Sequence, residues 1–141
     1  MSRLPMTQPP NLPCPCHSGV KYKRCCRPFH RGAQAPTPEA LMRSRYCAFA
    51  LGLADYVMDT TDPEGSSFNA DRAAWGRSIE EFSRSTEFAD LQVISAEATG
   101  VHGAVKFKAG LIQGGKDVSF TEASRFVKAG GAWLYHSGVL T

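Results

Sequence analysis

Between residues 38 and 86 apolar side chains recur at helical spacing, and from residue 87 onward they alternate with polar ones. The first helix is marked by its punctuation. Thr37-Pro38-Glu39 supplies a hydroxyl N-cap, a proline at the first helical position and an acid in the first turn. Met42, Tyr46, Phe49 and Leu53 follow as one apolar stripe, and Gly52 can close the helix after Leu51. A short second helix is expected over residues 53–60, stopped by the turn at Asp62-Pro63-Glu64-Gly65. A third is expected over residues 71–85, with Trp75, Ile79 and Phe82 on one side.

The second half reads as strands. Leu91, Val93 and Ser95 alternate with Gln92, Ile94 and Ala96, and Val105, Phe107 and Ala109 alternate with Lys106 and Lys108. Gln113-Gly114-Gly115-Lys116 is a hairpin turn. Val118, Phe120, Glu122, Ser124 and Phe126 share one face of the next strand, and residues 133–139 form the last one after the Gly130-Gly131 turn. Helices followed by tightly joined strands predict an α+β fold, about three helices packed on a four-stranded antiparallel sheet.

The N-terminal part has a different character. Residues 1–13 are proline-rich and read as a flexible lead-in. Residues 14–31 hold four of the five cysteines and are too short to own a core without a metal. Residues 32–37 read as a linker, and the main domain is expected over 38–141. With 43% apolar and 21% charged residues, the chain has enough apolar material for a packed core. No apolar run reaches membrane-spanning length and no export signal is visible, so the expected compartment is the cytoplasm, where thiols stay reduced.

Charge separates the same two parts. The net charge is +3, but residues 1–38 carry six basic and no acidic residues, whereas the remainder carries ten basic and 13 acidic. A basic N-terminal module on a mildly acidic body suits an anionic partner. The competing explanation is local: four thiolates on a dication leave a charge of −2, which nearby Lys and Arg offset.

Cys14, Cys16, Cys25 and Cys26 lie within thirteen residues. Thiolates grouped this tightly can enclose one tetrahedral ion, usually Zn²⁺, and four ligands leave no open coordination position, so the metal would be structural. Ser18 and Gly19 after Cys16 give the small residues a metal loop needs. His17 or His30 could replace one cysteine, and disulfide or redox chemistry is the remaining alternative, although adjacent Cys25 and Cys26 would make a strained bridge.

The stretch Cys14-Pro15-Cys16-His17-Ser18-Gly19, followed by Tyr22-Lys23-Arg24-Cys25-Cys26, resembles the SEC-C motif, the zinc module at the C-terminus of the SecA translocase. The resemblance implies that these four cysteines bind one zinc ion. In SecA that module contacts a chaperone and the ribosome. Glycine usually follows the second cysteine in the motif; here it is His17. Further on, Leu41-Met42-Arg43-Ser44-Arg45-Tyr46-Cys47-Ala48-Phe49, Glu122-Ala123-Ser124-Arg125-Phe126 and Trp133-Leu134-Tyr135 resemble the YchJ family. Those proteins join SEC-C to a cone-shaped domain similar to nuclear transport factor 2, and the chain reads as carrying one such zinc module.

Two functions are expected from this. The first is a zinc-binding adaptor whose Lys21, Lys23, Arg24, Arg27 and Arg31 face a protein or a ribosomal or RNA surface. The second is a small-ligand binder or enzyme using a cavity of the cone domain, with Glu122 and either Arg43 or Arg45 as its polar groups. Arg43 and Arg45 are two apart on a helix and cannot share a face. For Glu122 an ion pair with an Arg is the favoured structural alternative to catalysis. Cys47 reads as a small buried hydrophobe, His102 and His136 lack any surrounding motif, and Trp75, Trp133 and Tyr135 read as core, so the enzyme is the weaker of the two.

Overall fold

The computed structural model describes residues 7–141. The main domain has three helices, α2 (Pro38–Leu51), α3 (Ala54–Asp59) and α4 (Arg72–Ser85). They are followed by β1 (Glu87–Thr99), β2 (His102–Gln113), a short β3 (Lys116–Asp117), β4 (Phe120–Ala129) and β5 (Ala132–Leu140). The antiparallel sheet has the order β1-β2-β4-β5, with β3 folding back onto β2 through the Gly114-Gly115 turn. The fold is the expected α+β class. The cysteine module adds a 3₁₀ turn, η1 (Tyr22–Arg24), and a single-turn helix, α1 (Arg27–His30). Among the described residues no helix is long and apolar enough to cross a membrane.

The caps form as the sequence indicates. The Ala40 N–H donates to Thr37 Oγ1 at 3.1 Å, Gly52 closes α2 in the left-handed region at φ 73°, and the Asp71 carboxylate caps α4 through the Ala74 N–H. The environment of α2 differs from expectation. A single apolar stripe predicts one buried face, yet Leu41, Met42, Ser44, Arg45, Tyr46, Cys47 and Ala48 are all buried. A helix buried nearly all round lies between two layers. Here the sheet covers one side of α2, and α1, α3 and α4 cover others.

The register of β1 also departs from simple alternation. Bulges fall between Phe88 and Asp90 and between Val93 and Ser95. Phe88, Leu91 and Val93 therefore pair with Leu111, Ala109 and Phe107, while Ser95 shifts opposite outward-facing Lys106. Each bulge inserts one residue and reverses the side-chain phase beyond it, which periodicity alone cannot foresee. On the concave side, Val105, Phe107, Ala109, Leu111 and Phe126 meet α2 in one core.

The cysteine module is part of that core. Cys14, Cys16, Tyr22 and Cys26 pack in one cluster with Leu41, Met42 and Cys47. Its ordered part also starts before Cys14: the Tyr22 N–H donates to Leu12 O at 2.9 Å and the Lys23 N–H to Pro10 O at 3.0 Å. The first six residues of the expected lead-in lie outside the described ones. In the stretch expected to be a linker, Ala35 is buried and the Ala33 N–H bonds Pro28 O.

Candidate metal centre and cone cavity

The four sulfurs of Cys14, Cys16, Cys25 and Cys26 all lie within 4.8 Å of one another. Three of these cysteines are buried and Cys25 is half-buried. A tetrahedral ion with metal–sulfur bonds of about 2.3 Å has sulfur–sulfur edges of about 3.8 Å. Cys16 to Cys25 at 3.5 Å and Cys25 to Cys26 at 3.9 Å straddle that value. The donor set thus fits one tetrahedral, thiophilic metal ion.

The electrostatics point the same way. Hydrogen bonds from Cys16 and Cys26 hold the Cys14 thiol well below its usual range, while the bond to Cys14 pushes Cys26 up. Burial raises Cys25 to about 11, against the opposing pull of the Ser18 hydroxyl. Four thiolates this close repel one another, so holding all of them needs a cation. Ser18 Oγ lies 3.1 Å from Cys25 Sγ, placed to donate to a metal-bound sulfur.

Neither histidine proposed as a substitute ligand joins the cluster; both fasten the module to the main domain. The Tyr22 hydroxyl donates to His30 Nδ1 at 2.8 Å, and His30 Nε2 donates to the Ser44 carbonyl at 2.8 Å. His17 sits at φ 61°, the left-handed conformation that explains why glycine is usual there. Its ring compensates by donating from Nε2 to Phe88 O at 2.9 Å and meeting the Tyr46 ring edge-on.

The two arginines of α2 do diverge. Arg43 is not a cavity residue: Nε pairs with Glu39 at 3.1 Å and Nη1 donates to Cys16 O at 3.3 Å, so it too holds the module. Arg45 points inward and lines a cavity of about 400 Å³ together with Glu122. The two do not form the expected ion pair. Arg45 Nη1 donates instead to Val57 O, Thr60 Oγ1 and Thr61 Oγ1 at 2.8–3.1 Å, and its guanidinium lies 4.6 Å from the Tyr135 ring centre. Glu122 Oε2 accepts from the Ser124 hydroxyl and, at 3.0 Å, from the Tyr135 hydroxyl. Burial lowers Arg45 only to about 10, and burial together with the Glu122 carboxylate raises Tyr135 to about 12. The guanidinium stays charged and the phenol stays protonated at neutral pH.

Lys21, Lys23, Arg24 and Arg31 are exposed, and Arg27 is half-buried at the start of α1. The ion pairs among the described residues, Arg43–Glu39, Arg72–Asp55 and Arg72–Asp59, involve none of these five.

Comparison with known proteins agrees with both halves of this geometry. The SEC-C motif matches residues 11–28, and the YchJ middle NTF2-like domain matches residues 37–138. The chain belongs to the YchJ family. A UPF0225 protein of Deinococcus radiodurans is 39% identical over 132 residues, covering 93% of this chain and 92% of the relative. The UPF0225 protein YchJ of Shigella dysenteriae is 41% identical over 129 residues, covering 89% and 81%. The solution structure of a SEC-C motif containing protein from Rhodopseudomonas palustris superposes with a TM-score of 0.79 at 37% identity, covering 92% of this chain and 99% of that one.

Two residues of this YchJ-family chain escaped sequence reasoning. Tyr135 reads as core, but a bulge beside Arg125 leaves it opposite Phe126, with its hydroxyl on Glu122. Cys47 is buried, as expected, but its sulfur touches Cys14 of the four-cysteine cluster, 33 residues away in sequence. For Tyr135 a polar tip on an otherwise apolar strand face was the available hint. For Cys47 no local signal existed.

Proposed function

We propose that this YchJ-family protein is a zinc-organised adaptor whose N-terminal module presents a basic face to an acidic macromolecular surface, of RNA or protein, in the cytoplasm. One observation carries the proposal: the module is docked on α2, with Lys21, Lys23, Arg24 and Arg31 exposed and without an acidic partner among the described residues. Zinc is the ion that best suits four thiolates in a tetrahedral, redox-inert site, and a full ligand set holds shape rather than binding substrate. Because the module is held by His17, His30 and Arg43, its charges keep a fixed spacing, and less ordering is needed when a partner binds.

The test is capture from cell extract with and without zinc chelation, repeated with ribonuclease to separate RNA from protein partners. Combined Lys21→Ala, Lys23→Ala and Arg24→Ala replacement is expected to weaken binding by about tenfold or more and to flatten its salt dependence. Undiminished capture by both the chelated protein and the triple variant rejects the adaptor.

A further inference from the structure

The cavity lies between α2, α4 and the concave face of the sheet, and its volume of about 400 Å³ falls within the range of small-molecule sites, about 300–1,000 Å³. Its sides are aromatic: Phe49, Trp75, Phe82, Phe88, Phe107 and Phe120. Several of these rings meet edge to face, as in Phe82–Phe88 at 89° and Phe49–Phe82 at 86°. Planar rings fit between such walls through offset and T-shaped contacts. Ser67 and Ser78 also line the cavity and are exposed, so they mark where it meets solvent.

The polar lining is gathered into one connected group. Tyr135 touches both Arg45 and Glu122, Ser124 bonds Glu122, and Thr61 bonds Arg45. This group has unused capacity. Among the described residues, the hydrogen bonds of Arg45 all leave from Nη1, so Nε and Nη2 lack an acceptor. Both donors to Glu122 reach Oε2, so Oε1 lacks a donor. One cation and one anion leave the polar end near neutrality. A charged ligand head would gain from one and lose to the other, while a neutral hydroxyl can donate to Glu122 Oε1 and accept from Arg45.

We propose that the cavity binds a neutral small molecule with an aromatic body and a hydroxyl group directed at Arg45 and Glu122. The aromatic walls take up the apolar body, and the hydroxyl completes the hydrogen bonding of two otherwise under-used side chains. Leaving such groups unpaired beside a ligand lacking the hydroxyl is what makes the site selective.

The test titrates three probes that share one naphthalene body into the full, metal-loaded chain: 2-naphthol, 2-methoxynaphthalene and 2-naphthoate. Calorimetry gives affinity, and NMR shifts of the Trp75, Phe107 and Phe120 rings locate binding. Saturable one-site binding of 2-naphthol is expected, with 2-methoxynaphthalene about tenfold weaker, because it cannot donate, and 2-naphthoate weaker than 2-naphthol. Glu122→Gln should bring 2-naphthol and 2-methoxynaphthalene to within about threefold of each other. Ser78→Trp, at the solvent end, should abolish binding with circular dichroism unchanged; Ser67→Trp serves if that variant unfolds. The proposal is overturned by absence of saturable binding, by binding that survives blocking the mouth, or by preference for the naphthoate. Failure here leaves the adaptor standing, since no residue of the basic module is involved.

Discussion

Cys47 Sγ on α2 lies 3.8 Å from Cys14 Sγ in the four-cysteine cluster. The contact joins the N-terminal module to the central helix of the main domain, and Cys47 is completely buried beneath it. When Cys14 binds metal as a thiolate, the Cys47 thiol is placed to donate to it. Cys47 then supports the site without belonging to the ligand set.

Cys47→Ala is therefore expected to keep one metal ion per chain by elemental analysis, while its metal affinity falls about tenfold in competition with a chelator. Cys26→Ser should lose the ion. Complete loss of metal in Cys47→Ala would instead make Cys47 a ligand.

Metal removal should reach beyond the module. Cys14, Cys16 and Cys26 share a core cluster with Leu41, Met42 and Cys47, so chelation should release residues 14–31 and uncover one side of α2. Amide hydrogen exchange is expected to speed up across residues 41–48 while β4 and β5 stay protected. Unchanged protection at 41–48 would describe a module merely tethered to the domain.

Docking of the module should weaken in mild acid. Burial holds His30 below the usual histidine pKa of about 6.5, and the ring is neutral between the Tyr22 hydroxyl, the Ser44 carbonyl and the Tyr56 ring. The unfolded chain takes up the proton first as pH falls through about 6.5, so the stability contribution is full above that pH and is lost below it. Denaturant midpoints between pH 7.5 and 5.5 should fall more steeply for the native protein than for His30→Gln. Equal slopes would remove His30 as the cause.

His17→Gly exchanges two effects of similar size. It relieves a left-handed non-glycine residue, worth about 1–2 kcal/mol, and removes the hydrogen bond to Phe88 O, worth about 1 kcal/mol. Global stability should change by about 1 kcal/mol or less, while NMR shifts at Phe88 and Tyr46 report the looser docking. A loss of several kcal/mol would mean that the ring carries more than this contact.

Gly138 pairs with Ser124 across β4 and β5, the Glu122 side chain reaches over it, and any Cβ there would overlap the Glu122 carboxylate and the Tyr135 hydroxyl. Gly138→Ala should cost about 1–3 kcal/mol by thermal unfolding and displace the Glu122 side chain from Tyr135. A neutral effect would show that the Glu122 cluster moves aside freely.

Much of the protein was legible locally. Thr37, Pro38, Gly52 and Asp71 act on the backbone within one turn of themselves, so the helix ends could be read from neighbours alone. The same holds for the Gly114-Gly115 hairpin and for the cysteine spacing that gathers four sulfurs around one point. The strand face carrying Phe120, Glu122, Ser124 and Phe126 followed from a period of two.

Tertiary structure decided the rest, because it depends on what faces each residue from far away in the chain. Packing against two layers turned the striped α2 into a buried helix, and bulges re-phased β1 and brought Tyr135 to Glu122. The same packing gave Arg43 to the module and Arg45 to the cavity, although the two differ by only two positions. It also changed the standing of the cysteine cluster, from an appended module to one wall of the core, through Cys47, His17 and His30. Spacing along the chain determines which atoms can share an ion; only the packed layers determine which surface that ion supports.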